Sequence, residues 1–242
     1  MMRRILISAV WVLCLAVSGW SQTTDAQQAE EMYRQGKFSA ALGLYENELK
    51  KAPNNPYLYY NIGNCYFKMG SKGLAAANYY RAFKLAPRDS DIRHNLTLAL
   101  ASGGERLVPA GVPGVLHQAF FYLSYPELKG LVFVFLWLFC TVASIWLIKR
   151  KLGRMLVASA VILLLSGGWF LLRRSLEQQH LAVIASPVAE IRSGPGTNFP
   201  ASASAAQGHL VTIQDTKDEW YEVIVKSQGI KGWVEKSAVE QI

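Results

Sequence analysis

Cysteine is scarce in this chain, with three in 242 residues. Cys14 lies in an N-terminal apolar segment, Cys65 in a helical region and Cys140 inside a long apolar run. Placed so far apart, they predict three buried thiols and no intrachain disulfide, and without a CxxC pair there is no zinc knot. Leu13 and Trp11 stand where a lipoprotein site at Cys14 would need small residues. Catalytic signatures are missing too. There is no GxxxxGK(S/T) phosphate loop, no HExxH zinc motif and no GxSxG nucleophile elbow. His94, His117, His180 and His209 are scattered. Gly194 and Gly196 follow a strand pattern but open no helix, so they make no nucleotide loop. The chain is expected to be no enzyme and to hold no metal and no cofactor.

Charge is absent from two long stretches, Leu131 to Ile148 and Met155 to Leu172. Each would span roughly 27 Å as a helix, close to the hydrocarbon thickness of a bilayer. Lys149, Arg150, Lys151 and Arg154 crowd the short gap between them. Two apolar spans joined by a basic knot predict a transmembrane hairpin at 129–173, with loop 149–154 on the cytoplasmic side. Everything before and after then faces the opposite side of the membrane. A reading with both soluble regions cytoplasmic requires that charge rule to fail. With no ionisable group inside either span, transport by this chain is not expected. Ala158, Ser159, Ser166, Gly167 and Gly168 are small enough to let the two helices approach closely.

The formal charge of +8 invites a nucleic-acid reading, but its location removes it. Arg3, Arg4, Arg173, Arg174 and the four cations of the loop account for the whole excess. These residues flank apolar segments and form no binding stripe, so no nucleic acid is expected. Met1 to Ser21 has a basic start, an apolar stretch from Ile5 to Val17 and small residues at Gly19 and Ser21. It predicts a signal peptide cleaved before Gln22, or an uncleaved anchor because Trp20 is bulky beside the site.

A 34-residue echo follows. Gly36, Ala41, Tyr45, Leu49, Ala52 and Pro53 recur as Gly70, Ala75, Tyr79, Phe83, Ala86 and Pro87, and Asn61-Ile62 recurs as Asn95-Leu96. That period resembles the tetratricopeptide repeat, two antiparallel helices per unit. Tyr59, Ile62-Gly63, Tyr66, Gly70, Ala75, Tyr79, Ala82 and Pro87 carry the resemblance in the unit 56–89. The unit 22–55 is weaker, and 90–101 supplies one capping helix. Gly63 and Ala75 are small where paired helices meet, Tyr66 and Tyr79 fill the space between pairs, and Pro87 ends a helix. Two and a half repeats are few for a stable solenoid. The resemblance implies a concave groove for protein partners, faced by Tyr57, Tyr60, Asn64, Phe67 and Lys68, a set suited to an extended peptide. Asn64 and Asn95 fall at the asparagine positions of carboxylate-clamp members, but Tyr60 replaces the clamp lysine and Asp91 would repel a carboxylate.

Residues 102–128 read as a Gly-, Pro- and Ala-rich linker followed by an interfacial segment rich in aromatics, with Pro126 marking the break before the first span. From 180 to 242 the pattern changes. Val183-Ile184, Val188 to Ile191, Leu210 to Ile213, Trp220 to Val225 and Gly232 to Val234 read as short strands between turn clusters, hence a small all-β barrel. The run from Glu190 through Arg192-Ser193-Gly194-Pro195-Gly196-Thr197 to Pro200, with Trp220-Tyr221 and Gly232-Trp233-Val234, resembles the bacterial SH3-like domain. That resemblance implies contacts to cell-wall peptides or proteins. Arg192, Trp220, Tyr221 and Trp233 are the candidates, set against core or turn roles for each. Trp233 is expected to fill the core.

The order of parts describes a multidomain membrane protein: an all-α tetratricopeptide solenoid, a two-helix transmembrane hairpin and a small all-β SH3-like barrel. That order resembles the BatE family of the Bacteroides aerotolerance (Bat) group. The resemblance implies a non-enzymatic scaffold in an envelope stress complex, partnered by von Willebrand A-domain membrane proteins. The alternative is a wall-sensing or wall-tethering receptor that uses its SH3-like domain on peptidoglycan.

Overall fold

A computed structural model describes residues 24–242. The signal or anchor expected at 1–21 lies outside the described residues. Among the described residues, five helices come first: α1 (Thr24–Arg34), α2 (Phe38–Lys51), α3 (Pro56–Lys68), α4 (Lys72–Leu85) and α5 (Ser90–Ala101). Their boundaries repeat with the sequence. Gly36 and Gly70 end the first helix of each unit at φ of 76° and 81°, a conformation that disfavours a Cβ. Asn55 caps α3 by accepting the Tyr57 N–H at 3.0 Å, and Asp89, 34 residues on, caps α5 by accepting from Asp91 and Ile92 at 3.0 and 3.1 Å. Pro56 stands at the first turn of α3, where its missing N–H leaves no bond unmade.

Small residues set the packing between helices. A Cβ on Gly63 would lie 2.6 Å from the Tyr79 ring, so the glycine lets α4 close onto α3. The first core holds Ala29, Ala41, Tyr45, Leu58, Ile62 and Cys65. The second holds Ala75, Tyr79, Phe83, Ile92, Leu96 and Leu100. Val183, from the C-terminal domain, is fully buried in this second core.

A short helix, α6 (Gly114–Phe120), precedes the hairpin of α7 (Tyr125–Lys149) and α8 (Gly153–Glu177). Pro126, expected before the span, stands in the first turn of α7, and Ser124 caps it through an N–H to Glu127 Oε2 bond of 2.9 Å. The best windows of α7 and α8 have mean hydropathies of 2.6 and 2.3, and only 6% and 11% of each is buried. Side chains this apolar and this exposed suit a bilayer, so the helices suggest membrane association. Their seam differs in part from the expected one. Ser159, Ser166 and Arg173 are buried at heptad spacing, whereas Ala158 is exposed and no atom comes within 4 Å of a Cβ placed on Gly167 or Gly168.

Seven strands complete the chain: β1 (Leu181–Ile184), β2 (Val188–Arg192), β3 (Ala201–Ala206), β4 (Leu210–Lys217), β5 (Trp220–Val225), β6 (Ile230–Glu235) and β7 (Val239–Gln241). They form one antiparallel sheet in the order β3-β2-β6-β5-β4-β1-β7. Every strand sends a side chain into a single cluster that includes Ile184, Ile191, Ala205, Val211, Val223, Val234 and Val239. A sheet with one core fed by all its strands must curl on itself. β3 and β7 carry no strand signal in the sequence. The first is all Ala and Ser, and the second is three residues long.

The two soluble parts touch. Helix α4 packs on β1 and β7. A Cβ on Gly73 would collide with the Ile184 carbonyl oxygen, and one on Gly103 would lie 2.6 Å from the Gly208 backbone. Arg81 reaches Glu240 and the Gln241 carbonyl, Lys84 pairs with Glu177 at 2.9 Å and Arg88 with Glu127 at 2.6 Å. Both soluble parts thus sit at the α7-start, α8-end side of the hairpin.

Candidate functional site

The first helices of the repeat units face away from the docked sheet, and a cavity of about 270 Å³ opens among them. Tyr33, Tyr60, Asn64, Phe67, Lys68, Tyr79, Asn95 and Leu98 line it. Tyr60, Asn64, Phe67 and Lys68 come together as the repeat spacing placed them. Tyr57 is about half exposed and stands outside the lining. Tyr33 and Leu98 carry no local signal, yet the 34-residue period contains them: Tyr33 is the echo of Phe67, and Leu98 of Asn64.

Three helices tie the polar floor together. The Tyr79 hydroxyl donates to Asn64 Oδ1 at 2.7 Å, and Asn95 Nδ2 donates to the same oxygen at 3.2 Å and to the Tyr60 hydroxyl at 3.1 Å. The Tyr60 and Tyr79 rings meet at a tilt of 46°, 5.8 Å between centroids. This network holds Asn64 in one orientation and leaves its NH₂ free of protein partners among the described residues. An amide of that kind, beside a tyrosine hydroxyl and flanked by aromatic rings, has the donors and acceptors to hydrogen-bond a peptide backbone. Lys68 is exposed at the rim, with no ion pair among the described residues.

Burial pushes the Cys65 thiol up to about 11, with Glu46 adding to the effect, so it stays protonated at neutral pH. Burial likewise raises Tyr79, and it raises Tyr33 with smaller contributions from Cys65 and Tyr60. No group of three or more His, Cys, Asp or Glu among the described residues is placed to hold a metal ion.

On the sheet, the sequence candidates scatter. Arg192 donates to the Thr197 and Phe199 carbonyls at 3.1 and 2.7 Å and pairs with Glu190, so it clamps the turn 193–200. The ring of Phe199 covers Gly194, where a Cβ would lie 2.5 Å from it. Trp220 is buried at the start of β5. Tyr221 accepts a bond from Gln241 at 2.7 Å and lies under the Lys236 ammonium at 5.4 Å. Trp233 is only half-buried and does not fill the core. On β6 the inward positions alternate through Gly232 and Val234, which turns the intervening tryptophan away.

The comparisons agree with these two parts. Residues 29–70 match the family model described as TPR repeat, and residues 187–240 match the one described as bacterial SH3 domain. Tetratricopeptide repeat protein 16 of Homo sapiens and its counterpart in Macaca fascicularis are each 34% identical to this chain over 61 residues. That stretch covers 25% of this chain and 7% of each relative. Repeats of this kind point to protein–protein interaction and bacterial SH3 domains to cell-wall binding, and both are typically non-catalytic.

Proposed function

We propose that this chain is a membrane-tethered scaffold whose repeat groove holds an extended segment of a partner protein. One observation carries the reading. The groove of Tyr60, Asn64, Phe67 and Lys68 on α3 is open and polar-floored, while the sheet packs on the neighbouring helix α4. Helix α4 is engaged by the sheet, and the groove residues on α3 are not. The hairpin loop 149–154 lies on the cytoplasmic side of a bacterial inner membrane and both soluble parts lie in the periplasm, a topology supported by the four loop cations and by the common end on which both parts sit. The proposed setting, which the resemblance to the BatE family implies, is a Bat-type envelope stress complex with von Willebrand A-domain membrane proteins as partners. The test is co-purification after a combined Tyr60→Ala, Asn64→Ala and Phe67→Ala substitution. Loss of the partner with an unchanged helical signal is expected. Full recovery would sink the reading.

A second reading rests on the match of 187–240 to bacterial SH3 domains and on the half-exposed Trp233 and Tyr221. In it the sheet binds peptidoglycan and the chain tethers the membrane to the wall. Sedimentation of the full chain with purified sacculi separates the two. Pelleting that Trp233→Ala abolishes favours the wall reading, and a chain left in the supernatant removes it.

A further inference from the structure

The turn of the hairpin lies at the end away from both soluble parts, and its charges are unanswered. Lys149, Arg150, Lys151 and Arg154 are crowded into residues 149–154. None has an ion-pair partner among the described residues, whereas at the other end of the hairpin Glu127 pairs with Arg88 and Glu177 with Lys84 and Arg173. No Asp or Glu occurs between Glu127 and Glu177, so the nearest carboxylate on either helix stands roughly 30 Å or more along its axis. The turn is nonetheless well formed. Arg150 ends α7 in the left-handed region at φ of 53°, and its N–H donates to the Trp146 carbonyl at 2.8 Å. Its guanidinium lies 4.5 Å from the Trp146 ring centroid, and a Cβ on Gly153, the first residue of α8, would sit 3.7 Å from the indole nitrogen. The indole is thus held between the end of α7 and the start of α8. With Arg150 occupied on that ring, Lys149, Lys151 and Arg154 remain as exposed cations around a fixed turn.

The neighbours of these cations decide which anion fits. The end of α7 and the start of α8 bring opposite dipole ends together, so the side chains set the local potential. Leu147 and Ile148, just before or beside the first cation, are 63% and 82% exposed, and Met155, just after the last, is 57% exposed. Cations next to exposed aliphatic side chains, at the end of helices apolar enough to span, stand where a bilayer places phosphates above acyl chains. A soluble anion or an acidic protein would satisfy the charges and leave the aliphatic side chains without a partner. A phospholipid with an anionic headgroup satisfies both.

We infer that the hairpin turn is a binding site for one anionic phospholipid, its phosphate held by Lys149, Lys151 and Arg154 and an acyl chain lying along Ile148 and Met155. The bound headgroup also relieves the mutual repulsion of four cations in one short turn. The site is the same whichever side of the membrane holds the turn. The test uses the full chain in phosphatidylcholine nanodiscs that carry a minor fraction of phosphatidylglycerol brominated near the top of its acyl chains or, in parallel, of phosphatidylcholine brominated in the same way. Bromine quenches tryptophan at short range, and the Trp146→Phe variant identifies the share of the signal that comes from Trp146. Brominated phosphatidylglycerol should quench that share more strongly than the zwitterionic lipid. Each cation contributes roughly a fivefold preference, so Lys149→Gln, Lys151→Gln and Arg154→Gln together should lower it by more than roughly tenfold. Arg174→Gln, at the other end of the hairpin, should leave it unchanged. Equal quenching by the two lipids overturns the inference, as does the absence of quenching by either. A preference that survives the triple substitution, or that Arg174→Gln removes as well, also overturns it. Inorganic phosphate that abolishes the preference at constant ionic strength would assign the site to a free anion and likewise overturns it. Native mass spectrometry of the wild-type chain gives a readout independent of variant folding. A phosphatidylglycerol adduct retained over phosphatidylcholine supports the site, and unselective adducts reject it.

Discussion

Gly73 and Gly43 make a matched pair that tests whether the SH3-like sheet is locked to the repeats. Both are glycines in repeat helices, and alanine in a helix is favoured over glycine by up to about 1 kcal/mol. Gly43 in α2 has open space where a Cβ would go. Gly43→Ala should therefore stabilise the chain by about 0.5–1 kcal/mol. Gly73 lies at the start of α4, where a Cβ would collide with the backbone carbonyl of Ile184 and crowd Ala185. Neither backbone group can rotate aside as a side chain would, so the sheet must shift or detach. Overpacking of that kind costs about 1–3 kcal/mol, which outweighs the weak propensity gain near a helix start. Detachment would relieve the clash, but it exposes Val183, whose burial contributes about 1.5–3 kcal/mol, and breaks the Arg81 contacts to Glu240 and Gln241. The assay is thermal unfolding of the detergent-solubilised chain, with limited proteolysis around 178–181 as a second readout. Gly43→Ala should raise the midpoint, while Gly73→Ala should lower it and speed cleavage. If both raise the midpoint alike, the two parts are not docked and the packing argument is refuted.

Other expectations follow from the same structure. Asn55→Ala and Asp89→Ala each remove a helix cap and should cost about 1 kcal/mol in denaturant unfolding, with Asp91 in the first turn of α5 leaving that helix still favourable to its dipole. Cys65 should resist thiol reagents at neutral pH in a Cys14→Ser, Cys140→Ser background and react only as fast as the repeats open; rapid labelling of the folded chain would contradict its burial. Because the Cys65 pKa is raised from 9.0 to about 11 in the fold, the stability it confers is complete below pH 9 and is lost as pH rises toward 11. Alkaline titration of the unfolding free energy should fall in that window, and a flat profile there would disprove it. Arg173→Met keeps volume but strips donors from the Phe120 and Leu123 carbonyls, and should cost about 1–3 kcal/mol in detergent unfolding, with loosened packing of α6 visible as faster hydrogen exchange at 114–123.

Much of the architecture was legible in the chain because it is written in short periods. The 34-residue echo specifies where helices start and stop: glycines 36 and 70 both take the left-handed turn, and Asn55 and Asp89 both cap. The groove residues Tyr60, Asn64 and Phe67 were readable for the same reason. Tyr33 and Leu98 were reachable only by carrying the period one unit each way. The sheet was harder. Trp233 looks like core by size, but alternation on β6 gives the interior to Val234, and β3 hides in Ala and Ser because its partner β2 supplies the hydrogen bonds and most of the apolar contacts. Arg173 looks like one more cation flanking a span, yet it is buried against backbone carbonyls.

By itself the sequence determined what each segment must become. Apolar runs without charge demand a bilayer or a core, a 34-residue period demands stacked helix pairs, and the turn at 193–200 is closed by its neighbour Arg192 and by Phe199 packed on Gly194. These are consequences of local chemistry, which neighbours in the chain enforce. Only the tertiary structure decided how the segments meet. It put the sheet on α4 and left the groove on α3 open, sealed the short solenoid with Val183, and drew α6 against α8 through Trp169 and Arg173. Such choices depend on the complementarity of distant surfaces, and no window along the chain contains both halves of one.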